Sequence, residues 1–349
     1  MWFDFLHKKS QDIGIDLGTA NIRIYTKNKG IIIDEPTVVG INNKTEQILA
    51  VGHEAKQMLG KTPPHIWVSR PLQHGIISDY EVTEKMLRYF IDKVHEGGLS
   101  FLSRPRVVIG VPLDVTEVEA KAVEDAIIAA GAREVFIVQE PMLAAIGGRM
   151  PIEEPVGNFI VDVGAGKTEV AVISLHGVVI WKSTPVAGEE MNKNIVTYAR
   201  EVFNLFVGEA HAEYIKMKAG SVMAGPEILQ IPMRGRDVIS GLPKEVIITD
   251  AHVREALDRS IRTIVDHIKM ALEVTPPELT ADIHERGMML TGGSALLPGL
   301  DKVITEATEI PVRIVDDPLS AVVRGTAILL EDRRLLDLVR LPSARQSVR

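Results

Sequence analysis

Short apolar runs alternate with helical patterns along this chain, and two of the runs read almost alike. The first is Ile13-Gly14-Ile15, closed by Asp16 and followed by Leu17-Gly18-Thr19-Ala20-Asn21 and the alternating stretch Ile22-Arg23-Ile24-Tyr25. The second, about 146 residues later, is Phe159-Ile160-Val161, closed by Asp162. It continues as Val163-Gly164-Ala165-Gly166-Lys167-Thr168-Glu169 and Val170-Ala171-Val172. Each pattern predicts a strand, a carboxylate, a glycine-containing turn and a second strand with alternating apolar positions. Glycine lets the backbone of such a turn come close to a ligand and aim its N–H groups at a phosphate. One such hairpin is weak evidence. Two predict a duplicated domain that holds one polyphosphate between its halves, with two carboxylates left for the counter-cation.

The same patterns outline the rest of the chain. Residues 30–69 read as short strands and a small helix inserted beside the first domain. Met86, Leu87, Phe90, Ile91 and Val94 give helical spacing over 83–95. Residues 106–111 read as a buried strand. A helix over 116–131 follows, with Thr116 as N-cap, Glu119 as its capping-box partner and Gly131 as its stop. A strand over 135–138 leads into Gln139-Glu140-Pro141 and a helix over 142–147. The prolines and glutamates of 151–157 read as a connector. Beyond the second hairpin, helices are predicted over 189–206 and 211–218, then loops and short strands over 220–241. A long amphipathic helix over 253–272 ends near Pro276-Pro277. A strand over 287–290 exits through Thr291-Gly292-Gly293-Ser294, and a last helix over 319–330 returns to the first domain. Strands alternating with helices imply an α/β architecture.

Composition narrows the function. Aromatic residues are 5% of the 349, so the core must be built mostly from Ile, Val, Leu, Ala and Met. A net charge of -8 argues against nucleic acid as a partner. The absence of cysteine excludes disulfides, thiolate catalysis and Cys-type zinc sites. No apolar stretch reaches membrane-spanning length, and the N-terminus lacks the pattern of a signal peptide, so neither is expected.

Two further segments are candidates for chemistry, each with a plainer alternative. Thr291-Gly292-Gly293-Ser294 offers a flat ligand or a phosphate a surface near a helix start at Leu300, or is only a tight strand-to-helix turn. Glu140 is either a solvated turn residue or a carboxylate placed for chemistry in the same half as Asp16.

Taken in order, the phosphate hairpin, strand-Glu-Pro-helix, second phosphate hairpin and Gly-Gly turn resemble the actin-like ATPases, and within them the MreB/Mbl-type bacterial actins. Ile15-Asp16-Leu17-Gly18-Thr19-Ala20-Asn21, Glu35-Pro36-Thr37-Val38-Val39 and Val51-Gly52-His53-Glu54-Ala55-Lys56 carry the resemblance. So do Glu140-Pro141-Met142-Leu143-Ala144-Ala145-Ile146-Gly147, Thr275-Pro276-Pro277-Glu278-Leu279 and Leu290-Thr291-Gly292-Gly293-Ser294-Ala295-Leu296-Leu297.

The resemblance implies an α/β fold of duplicated actin-like (ribonuclease H-like) domains around a central nucleotide cleft. The first would comprise 1–150 and 317–349 with a small insertion at about 34–71. The second would comprise 151–316 with an insertion at about 186–250. It implies ATP and Mg²⁺ as cofactors. Gly18, Thr19, Ala20 and Asn21 would form the first phosphate loop, and Gly164, Ala165, Gly166 and Lys167 the second. Asp16 and Asp162 would hold Mg²⁺ through water. Thr291, Gly292, Gly293 and Ser294 would lie along the adenosine. Glu213 and Lys216 match a nucleotide-contacting helix, although the residues alone read as a solvent-facing i,i+3 pair. Glu140 matches the hydrolytic glutamate, which orients water for attack on the γ-phosphate.

Lys167 departs from the family pattern, which has Thr in its place. Either it pairs with the γ-phosphate or Glu140 and slows a weak ATPase, or it turns outward without consequence. Ala165 replaces a glycine of that pattern, and Gly188-Glu189-Glu190-Met191-Asn192 departs from Gly-Asp-Glu-Met-Asp.

Trp2, Phe3, Phe5 and Leu6 beside Lys8 and Lys9, and the loop residues Leu99, Phe101 and Leu102, are candidates to enter lipid. A disordered tail and a core-packed loop are the alternatives. The basic stretch 333–349 is either an attraction to anionic lipid or a solvated tail. The resemblance further implies filaments of the protein itself, on the cytoplasmic face of the cytoplasmic membrane. Membrane proteins of cell-wall synthesis would be partners in setting rod shape. A sugar-kinase-like phosphotransferase and a chaperone-type nucleotide-binding domain are the alternatives within the superfamily.

Overall fold

The computed structural model describes residues 12–95 and 104–342. The chain divides into two compact units. One comprises the chain up to Pro155, Ser174–Val178 and the chain from Ser320 onward, and the other comprises Val156–Ile173 and Val179–Leu319.

The first unit is built on a five-stranded mixed sheet. Its strands are β1 (Ile13–Leu17), β2 (Asn21–Thr26), β3 (Gly30–Pro36), Arg106–Val111 and Glu134–Gln139. The two last-named are parallel to β1, and the spatial order is Glu134–Gln139, Arg106–Val111, β1, β2, β3. Residues Ile13, Ile15, Leu17, Ile22 and Ile24 alternate onto one face and are buried with Met86, Leu87 and Phe90 of helix Tyr80–His95. The helix Glu117–Ala129 starts where the sequence predicts. Thr116 Oγ1 accepts from Glu119 N at 3.2 Å, and Glu119 Oε2 accepts from Thr116 N at 2.9 Å, closing a capping box. On the other face, helices Glu140–Gly147 and Ala321–Glu331 touch backbone to backbone. A Cβ on Gly147 or Gly325 would overlap the Ala321 or Leu143 carbonyl.

The second unit repeats the plan. Asn158–Val163, Thr168–Ser174, Gly177–Thr184, Met288–Thr291 and Val312–Ile314 form its sheet. The order is Gly177–Thr184, Thr168–Ser174, Asn158–Val163, Met288–Thr291, Val312–Ile314. Its core joins Phe159, Val161, Val170 and Val172 to Met191 and Ile195 of helix Gly188–Phe203 and to Leu257, Ile264 and Ile268 of helix Asp250–Glu273. A three-stranded sheet of Leu205–Phe206, Gln230–Asp237 and Pro243–Thr249 stands beside helix Glu209–Ala219. The Arg234 amide donates to His211 Nε2 at 3.0 Å and ties the two together.

Several expectations need correction. The helix predicted over 189–206 ends at Phe203, because Asn204 takes a left-handed conformation (φ 52°) and Leu205–Phe206 pairs as a strand. The helix expected over 142–147 starts two residues earlier, at Glu140, since Pro141 fits the first helical turn without disturbing it. Pro276-Pro277 stops one helix and starts another, Pro277–Arg286. The helix ending near 330 is not the last. Residues Arg333–Val339 form a further helix rather than a tail, and Arg333 and Arg340 lie over the Phe136 ring at 4.5 and 5.7 Å from its centroid. Among the described residues no helix is long and apolar enough to cross a membrane.

Candidate functional site

In the first unit the site begins with hairpin arithmetic. Gly18 N donates to Asn21 O at 3.1 Å, so Leu17 pairs with Ile22 and Asp16 faces Arg23. The turn is held by its carbonyl oxygens, because Thr37 Oγ1 donates to Gly18 O at 2.8 Å and Thr37 N to Ala20 O at 2.9 Å. Thr19 is buried, and its Oγ1 accepts from Gly75 N at 2.8 Å. Asn21 Nδ2 donates to Asp34 Oδ1 at 2.9 Å. Asp16 is 8% exposed, and burial pushes its carboxyl up to about 6 against the opposing pull of Arg23. Glu140 follows the strand two places from β1, roughly 10 Å away by sheet spacing. It is half-buried, and its stem lies over Gly110, where a Cβ would stand 3.0 Å from Glu140 Cγ. Asp16, residues 18–21 and Glu140 therefore share one edge of this sheet, at the carboxyl ends of parallel strands.

The second unit draws more of the predicted residues together. Gly164 N donates to Lys167 O at 3.0 Å, the same closure as in the first turn. Asp162 is buried, facing Glu169 on one neighbouring strand and Thr291 on the other. Gly188 N and Glu189 N, at the start of helix Gly188–Phe203, donate to Gly164 O and Ala165 O at 3.2 and 2.8 Å. Ser294 Oγ donates to Gly164 O at 3.1 Å, and Lys216 Nζ to Gly188 O at 2.6 Å. Four segments thus meet at the Gly164–Gly188 backbone: the turn, a helix N-terminus, the 209–219 helix and the Gly-Gly turn.

Gly292 closes this arrangement. Its φ is +85°, and a Cβ there would overlap the Asp162 carboxylate and the Val163 carbonyl. Thr291 is fully buried, with Oγ1 donating to Pro318 O at 3.2 Å, while Gly293 is exposed. Glu213 and Lys216 are half-buried, so the solvent-facing reading of that pair fails for Lys216, which is bonded to Gly188 O. Lys167 is half-buried on the turn itself.

Sequence reasoning gave no role in the site to Arg23, Asp34, Thr37 or Gly188. Arg23 was within reach, because four residues (18–21) between the paired Leu17 and Ile22 fix it opposite Asp16. Gly188 was not, since nothing local ties it to Gly164. Trp2, Phe3, Phe5, Leu6, Leu99, Phe101 and Leu102 lie outside the described residues.

The donors suit a hard divalent cation. Asp16 and Asp162 are buried carboxylates, each beside a glycine turn. Among the described residues no group of three or more His, Cys, Asp or Glu side chains is arranged to hold a metal.

Residues 10–337 match the sequence profile of the MreB/Mbl protein family. The chain is similar to the cell shape-determining protein MreB of Escherichia coli (strain K12), with 46% identity over 326 residues, covering 92% of this chain and 94% of that one. Its fold is similar to MreB5 of Spiroplasma citri bound to ADP, with a TM-score of 0.89 and 33% identity over 95% of this chain and 98% of that one. The same MreB5 bound to AMPPNP gives a TM-score of 0.89 and 34% identity, covering 93% and 97%.

Proposed function

The chain belongs to the MreB/Mbl family and is a bacterial actin homologue of the cell-shape-determining kind, and on that premise we propose that it binds Mg·ATP and polymerises into filaments. The observation that carries the nucleotide reading is the repeated hairpin. Each five-stranded sheet holds a strand whose last residue but one is a buried Asp, and a turn closed by the same amide-to-carbonyl bond, Gly18 to Asn21 and Gly164 to Lys167. The nucleotides on the similar MreB5 support it. The kinase and chaperone readings are not favoured, because the match to a cell-shape protein runs through 94% of that protein.

Residues 18–21 and 164–167 bind the phosphates, and Asp16 and Asp162 support Mg²⁺ through water. Gly292, Gly293 and Ser294, with Glu213 and Lys216, contact the nucleoside while the buried Thr291 anchors that turn through Pro318, and Glu140 orients the attacking water in a slow ATPase. Filaments form by head-to-tail contacts that do not close into a ring. They lie on the inner face of the cytoplasmic membrane and organise the proteins that build the wall. Calorimetry on Asp16→Ala and Asp162→Ala tests the binding claim. Loss of a metal-supporting contact lowers affinity by about 10–100-fold, and unchanged Mg·ATP affinity in both variants contradicts it.

A further inference from the structure

Asp16, Arg23 and Asp34 lie in one line across three neighbouring strands. Arg23 is directly opposite Asp16 in the pairing of β1 with β2 and directly opposite Asp34 in the pairing of β2 with β3. Its Nη1 is 3.5 Å from Asp16 Oδ2, and its Nε is 3.3 Å from Asp34 Oδ1. The side chains of Asp16 and Arg23 are 11% and 12% exposed, whereas that of Asp34 is 53% exposed. One guanidinium is therefore shared between a buried carboxylate at the phosphate turn and a solvated one further out.

A buried carboxylate is costly unless a cation or hydrogen bonds compensate it. A guanidinium supplies that charge permanently, since it does not deprotonate in proteins. At Asp16 it does part of what a divalent ion does there, and the two compete for one carboxylate. The ion brings its own waters and phosphate ligands, so Arg23 displaces no ligand. It changes the charge that the ion meets.

We propose that Arg23 is a resident counter-cation for Asp16 that weakens the dependence of nucleotide binding on Mg²⁺, and that Asp34 sets the strength of this effect by drawing the guanidinium aside. The inference rests on the Mg·ATP reading of the hairpin. Arg23 and Asp34 act through Asp16, so both are positioning residues. Removing Arg23 leaves Asp16 to repel ATP unless Mg²⁺ intervenes. Removing the Asp34 charge leaves Arg23 wholly to Asp16.

The test measures ATP affinity by calorimetry with saturating Mg²⁺ and with EDTA, and takes the ratio of the affinity in Mg²⁺ to the affinity in EDTA. Arg23→Leu raises the ratio by about tenfold, the low end for contacts that support a metal ligand. Asp34→Asn lowers it. Effects of opposite sign from two neighbours are not produced by general loss of folding. Asp34 is half-exposed, so its variant carries the test alone if Arg23→Leu does not fold. A ratio within twofold of the parent in Asp34→Asn, and in any folded Arg23→Leu, overturns the inference while leaving Mg·ATP binding intact. A parent that binds no ATP under either condition overturns both.

Discussion

Replacing Asp16 by Asn should make the nucleotide-free protein more stable at neutral pH, although it removes a residue the site needs. Asp16 is 8% exposed, and burial raises its carboxyl from the ordinary 3.8 to about 6 even with Arg23 beside it. At about 1.4 kcal/mol for each pKa unit, that displacement corresponds to about 3 kcal/mol. The sign follows from proton linkage. Between pH 4 and 6 the folded protein holds a proton that the unfolded chain has lost, so the Asp16 contribution to stability falls as pH rises and is lowest above pH 6. Asn has nearly the same shape and carries no charge. It behaves like the protonated acid at every pH, and Arg23 keeps its partner Asp34.

The variant should therefore gain up to about 3 kcal/mol at pH 7.5. For a unit of this size that is a rise in melting temperature of about 6–12 °C, and the gain should vanish near pH 4. Paired thermal melts with EDTA from pH 4 to 8 measure the difference, so that other titrating groups cancel. Saturating Mg·ATP should narrow the gap by stabilising the parent alone. A variant no more stable than the parent at pH 7.5, or a gain equally large at pH 4, refutes the reasoning.

Lys167→Thr restores the family's residue at the second turn and should speed phosphate release in a single-turnover assay, with Glu140→Ala slowing it below the parent. A positive charge that attracts the γ-phosphate equally before and during transfer does not accelerate the step, and equal rates in Lys167→Thr and the parent remove Lys167 as a brake. Gly292→Ala should cost more than about 2 kcal/mol in a denaturant melt, through its positive φ and the overlap with Asp162, whereas Gly293→Ala at the exposed neighbouring position should cost under about 1 kcal/mol. Deleting residues 1–9 and changing Leu99, Phe101 and Leu102 to Ser should abolish co-sedimentation with anionic vesicles while ATP binding survives. The double change should exceed either single one, as two weak anchors act together.

What was legible in the sequence was local. The Thr116–Glu119 capping box needs only its own four residues, and both hairpins announce themselves by an apolar run, an Asp and a glycine turn. Prolines misled where their position within the element decides their effect. Pro141 read as the residue before a helix and Pro277 as the end of one, yet both sit in a first helical turn, where no amide is missed. The helix Arg333–Val339 went unread within a basic stretch taken as a lipid-attracting or solvated tail, because its anchor is tertiary, namely two guanidiniums over Phe136. The site divides in the same way. Asp16 and Asp162 follow from pattern, whereas the meeting of Gly164, Gly188, Lys216 and Ser294 joins segments far apart in sequence and has no local signature. Asp34 came into view only with the register of β3, since a bulge at Ile24/Tyr25 shifts the count along that pair.

ATP-dependent assembly is the central property expected of this bacterial actin. High-speed sedimentation of the purified protein, with electron microscopy of the pellet, tests this most directly. The parent should enter the pellet as filaments with Mg·ATP, and Asp16→Ala and Asp162→Ala should remain in the supernatant. A parent that binds ATP by calorimetry yet stays in the supernatant at every protein concentration contradicts it.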